Sequence, residues 1–93
     1  MTTHKQGETA TITFQSHCSI VDVEADSDQL KVLTKEVKKI IVNASNITEI
    51  DMAYLQLILS LKSTANANDI MFEIQSKSAK LEHVLELCGL KEL

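Results

Sequence analysis

From Thr9 to Gln15 the chain reads TATITFQ, a polar–apolar alternation that sets Ile12 and Phe14 on one side, as in a half-buried strand. A second short strand is predicted in CSIVDV, close enough to pair with the first as a hairpin around Gln15–His17. In DSDQLKVLTKEVKKI, Leu30, Leu33 and Val37 recur at the spacing of one helix face. Asp26 or Ser27 is placed to cap that helix, and Lys35, Lys38 and Lys39 suit the negative end of its dipole. Three β-branched residues in succession, Ile40-Ile41-Val42, predict a central strand covered on both faces.

After the loop SNITEI, Met52–Ser63 is helical by pattern and unusually apolar, with Gln56, Ser60 and Ser63 on a single polar stripe. DIMFEIQ is a further strand, with Ile70, Phe72 and Ile74 on one face. SAKLEHVLELCGL closes the pattern as a helix that packs through Leu81, Val84, Leu85 and Cys88, capped by Ser78 and stopped by Gly89. The order is β-β-α-β-α-β-α. A hairpin followed by αβ repeats predicts an α/β fold, with helices packed on a mixed sheet of about four strands and the later strands parallel through right-handed crossovers. One domain spanning 1–93 is expected, with residues 1–9 a flexible N-terminus.

Charge narrows the function. A net charge of −4 with scattered lysines, only Lys38 and Lys39 being adjacent, leaves no basic patch for nucleic acid. The apolar runs, Leu57-Ile58-Leu59 among them, are far too short to insert in a membrane, and the polar start MTTHKQGETAT has no secretory core. The expectation is a cytoplasmic protein with two reduced, packed thiols, Cys18 and Cys88, which match no CxxC pattern. Without secretion, the sequons at Asn43 and Asn46 are accidental. With no proline and glycines only at Gly7 and Gly89, there is no glycine-rich phosphate loop.

Catalytic and metal chemistry find little support. His17 and Cys18 are adjacent on a predicted strand and point to opposite faces, so they make a poor base and nucleophile. His83 and Cys88 lack zinc-site spacing, and Glu49 and Asp51 sit on a loop with no evident partner. No enzyme, cofactor or metal site is expected.

The second half of the chain carries a resemblance. Ile41-Val42-Asn43-Ala44-Ser45, Ile50-Asp51-Met52-Ala53-Tyr54-Leu55 and Leu85-Glu86-Leu87-Cys88-Gly89-Leu90 follow one another as a strand end, a loop with helix start, and a last helix end. This ordered set resembles the STAS domain of bacterial anti-sigma factor antagonists over about Ile40 to Leu90; the first forty residues match only in element order. IDMAYLQLILSLK is especially similar to single-domain STAS proteins of chemotaxis-type gene clusters and of lipid-transport ABC systems.

The resemblance implies a non-enzymatic module for signal transduction by protein–protein docking. Its regulatory partner would be an anti-sigma or kinase-like protein, or a chemotaxis or ABC-transporter component. In the family, a Ser or Thr just after the aspartate is the phosphorylation switch. Met52 and Ala53 occupy those positions here, a degenerate phosphosite without a hydroxyl. The family glycine is Tyr54, open between a core-edge residue and an aromatic anchor in an altered interface. The expected contact surface is Asn46, Thr48, Asp51, Met52, Ala53, Tyr54 and Leu55, with Met52 and Tyr54 presented to the partner and Asp51 either a docking residue or simply a cap. Ser45 and Thr48 are alternative phosphate acceptors off the family position. Two other readings stay open: an accessory subunit of a lipid-transport ABC complex, and a STAS domain that binds a small ligand near the loop. The oligomeric state is left open.

Overall fold

The computed structural model describes residues 1–90; residues 91–93, the end of the expected domain, lie outside the described residues. The elements are β1 (Thr2–Gln6), β2 (Thr9–Thr13), β3 (His17–Cys18), α1 (Ile20–Leu33), β4 (Lys39–Ala44), β5 (Glu49–Ile50), α2 (Met52–Ala67), β6 (Met71–Lys77) and α3 (Ala79–Leu87). The main sheet has the order β1-β2-β4-β6, with β1 antiparallel to β2 and the other neighbours parallel; β3 and β5 form a separate parallel pair. The predicted class and element order hold, and the two short strands are additions.

The hairpin is not the expected one. Thr2–Gln6, read from sequence as flexible, pair with β2 as an edge strand, tied down by Lys5–Glu36 at 2.9 Å and by Gln29 donating to Thr3 at 3.2 Å. Gly7, at φ +63°, makes the turn that its lack of a Cβ permits. A strand with no apolar alternation carries no sequence signal; β1 exists because β2 offers it an edge.

CSIVDV is also corrected. Only Cys18 belongs to a strand; Ser19 ends the extended backbone and Ile20 opens α1, so Asp26 lies inside the helix rather than capping it. Two adjacent β-branched residues, Ile20-Val21, mimicked a strand, yet they are exposed on the first helical turn. Ser19-x-x-Asp22 is the signal that could have placed the helix start. α1 ends at Leu33, so Val37, although buried, reaches the core from the connection to β4.

The parallel strands advance in one direction across the sheet, so right-handed crossovers put α1 and α2 on the same face. Burial agrees with this. Ala10, Ile12, Ile40 and Val42 are fully buried, and Tyr54, Leu55, Ile58, Leu61, Leu81 and Leu85 of α2 and α3 join the same cluster. Thr9, Thr11, Thr13 and Ile41, on the alternate positions, are only half-buried. β4 is therefore covered on one face, not two. Because α1 and α2 each follow a strand of the parallel set, their N-termini emerge at the carboxyl ends of those strands.

Candidate docking surface

Past Thr13 and Ala44 the main strands separate, and the chain pairs again as β3 and β5. Ser16 backbone oxygen accepts the amides of Thr48 and Glu49, at 2.8 and 3.0 Å, and the Thr48 hydroxyl at 3.1 Å; Cys18 oxygen accepts the Asp51 amide at 3.1 Å. Asn43 Oδ1 accepts from the Ser45 amide, the Ser45 hydroxyl and the Ser76 hydroxyl at 3.0, 2.7 and 3.0 Å. With Ile47 fully buried beneath it, the loop after β4 is held at both ends and in the middle. Asn46 and Thr48 stay exposed on its outside, as does Ser45.

Asp51 ends this loop and starts α2. Its Oδ1 accepts the Tyr54 amide at 2.9 Å, the bond that an N-cap makes to the third helical residue. Its Oδ2 accepts the Ile20 amide at 2.8 Å. Ser19, the N-cap of α1, makes no side-chain cap bond, so Asp51 satisfies an orphan donor at that second helix as well. One carboxylate joins two helix starts that are 31 residues apart in sequence. The partner that Asp51 lacked in the sequence is α1 itself.

Tyr54 and Leu55 are corrections to the expected contact surface: both are buried and present nothing to a partner. The Tyr54 ring turns inward and meets Phe14 edge to face, with centroids 5.7 Å apart. Its hydroxyl donates to Asp26 of α1 at 2.6 Å, which gives the buried phenol the hydrogen bond it needs. Burial and the Asp26 carboxylate push its pKa well above the ordinary tyrosine value. Tyr54 is thus a core residue that ties α2 to α1.

Met52 is exposed, Ala53 half-buried. Beside Met52 lies Cys88, whose Sγ is 3.8 Å from the Met52 Sδ. Cys88 is exposed rather than packed, at the C-cap of α3 just before the turn at Gly89. Cys18 is buried, and desolvation pushes its thiol up to about 11, while His17 beside it is exposed; the pair does not meet on one face.

The surface also gains residues that sequence reasoning missed. Ile20 is 67% exposed and Val21 84%, against 54% for Met52. Ile20 is held to the α2 start through Asp51, so these apolar side chains belong to one end of the molecule. The segments that build this end, residues 14–25 and 43–54, carry Asp22, Glu24, Glu49 and Asp51 and no lysine or arginine. A depression of about 290 Å³ over the paired β3 and β5 is lined by His17, Cys18, Ser19, Glu49, Ile50 and Asp51. The result is an acidic surface with apolar side chains standing on it.

No protein-family model matches the sequence, and no curated protein matches it. Solved structures do. The chain is similar to the Bacillus cell fate determinant SpoIIAA in its phosphorylated form, with TM-score 0.80, 18% identity, and coverage of 96% of this chain and 83% of that one. It is similar to the same anti-sigma factor antagonist in its unphosphorylated form, with TM-score 0.82, 18% identity, and coverage of 97% and 81%. The structure of Mglu matches at TM-score 0.73 and 18% identity, over 84% of this chain and 20% of that one. The chain has the STAS fold of SpoIIAA.

Proposed function

We propose that the chain is a non-enzymatic docking module of the STAS type, which binds a regulatory protein through the end formed by the loop after β4 and the first turns of α1 and α2. The observation that carries this reading is the Asp51 double cap. It ties together the starts of α1 and α2, which carry the exposed Ile20 and Met52. Likeness to an anti-sigma factor antagonist supports a partner in that class of regulation. Acidic groups around the apolar residues favour a partner face that carries Lys or Arg. Met52 and Ala53 have no hydroxyl, so docking here is not switched by phosphate at that position and is constitutive or regulated on the partner's side.

Met52→Asp tests this reading. It adds a charge at the centre of the surface and touches no core residue, so the variant should keep the wild-type circular dichroism spectrum. Its affinity for a partner captured by the wild type should fall by about 2 kcal/mol, the range of an interface anchor, measured by titration calorimetry. Equal binding by both proteins would show that docking happens elsewhere. Mass spectrometry after incubation with that partner and ATP should find residues 52–54 unmodified.

A further inference from the structure

We propose that the cleft between α1 and α2, at the opposite end of the molecule from the docking surface, binds a small amphiphilic anion: a short apolar tail with a phosphate head. Leu30 of α1 and Leu57 and Leu61 of α2 line an inner cleft of about 110 Å³. It adjoins an outer depression of about 640 Å³, and Lys31, Thr34 and Thr64 line both. Lys35 and Lys38 also line the outer part. The arrangement is an apolar slot beside a cationic mouth.

The charge is distributed unevenly. Although the chain is acidic overall, three lysines lie within the eight residues 31–38, and the remaining acid there, Glu36, pairs with Lys5. Among the described residues, no carboxylate comes within ion-pair distance of Lys31 or Lys35, and Lys38 reaches only the exposed Glu8 at 3.8 Å. Lysines near a helix end are favoured by the dipole alone, which accounts for their charge. It does not account for a leucine-lined cleft opening between them, with hydroxyls of Thr34 and Thr64 at the junction. An apolar tail in the slot and an anion at the mouth use both features together. This site is independent of the docking reading and stands or falls separately.

The full chain, with leucine methyls labelled for NMR, is titrated with hexyl phosphate, inorganic phosphate and hexanol. Hexyl phosphate should shift the methyls of Leu30, Leu57 and Leu61 saturably at millimolar concentration, and each single-feature probe should bind about tenfold more weakly or worse. Raising the salt should weaken binding, as screening of exposed charges requires. The double variant Lys31→Gln, Lys35→Gln should lose about tenfold in affinity with its spectrum still dispersed. Ser60→Leu, which fills the cleft and keeps every lysine, should abolish the tail-dependent gain. The proposal is overturned by any of three results: no saturable shift up to about 10 mM hexyl phosphate, equal affinity for hexyl and inorganic phosphate, or wild-type affinity in either variant.

Discussion

Asp51 carries two duties that separate substitutions can tell apart. Asp51→Ala leaves the amides of Tyr54 and Ile20 without their side-chain acceptor, and loss of a cap plus a second hydrogen bond should cost about 2–3 kcal/mol by urea denaturation. Asp51→Asn keeps one acceptor oxygen, so it should lose only about half of that. Equal costs for the two variants would mean that one of the bonds contributes nothing. Tyr54→Phe keeps the contact with Phe14 and removes only the bond to Asp26, for an expected loss of about 1 kcal/mol with docking unchanged. Tyr54→Gly empties a fully buried ring position and should cost more than about 3 kcal/mol. These residues differed in how legible they were. The cap at Asp51 follows from its residue type before an apolar helix, but its second bond depends on where α1 begins. Tyr54 was undecidable from sequence because an aromatic residue suits a core edge and an interface equally well, and only the space beside Phe14 settles its direction.

At the scale of elements, the helices with strong apolar stripes were legible, the starts of α2 and α3 included, while the N-terminal strand and the start of α1 were not. α2 runs one turn past the expected Ser63, and its Gln56, Ser60 and Ser63 stripe is exposed as the pattern requires. α3 has its Ser78 cap, with the hydroxyl accepting the Leu81 amide at 3.0 Å. Its end follows the Schellman pattern, with Gly89 at φ +75°, Leu90 donating to Leu85 oxygen and Gly89 to Glu86 oxygen. Among the described residues no atom would meet a Cβ at Gly89, so Gly89→Ala isolates the backbone term. It should cost about 1 kcal/mol, a drop of about 5 °C in thermal midpoint, without weakening the core contacts of Leu81 and Leu85. α1 was misplaced because its face is mixed: Ile20, Val21 and Val32 point outward while Leu30 alone is fully packed, so periodicity had little to read. The same irregularity hid half of the docking surface.

The molecule as a whole has one core, on one side of one sheet, and two acids of that core resist ionisation. Burial raises the Cys18 thiol from 9.0 to about 11, and burial with the Asp26 bond raises the Tyr54 phenol above its ordinary 10.0. In the unfolded chain both lose their protons earlier, so above about pH 9 the unfolded state holds fewer protons than the native one and stability falls as pH rises. The loss should begin near the ordinary thiol value, and the tyrosine contribution should join it near 10.0. Urea midpoints measured across this alkaline range should decline in the wild type, and Cys18→Ala should show a decline that begins later; identical profiles would remove Cys18 from the account. The two thiols also differ in a way that an experimenter can use. Cys18 is buried and poorly ionised, while Cys88 is open to solvent against Met52. A maleimide dye added to the unmodified chain should therefore label Cys88 alone, and a fluorophore would sit at the edge of the docking surface without any engineered cysteine, as a ready optical reporter of whatever settles there.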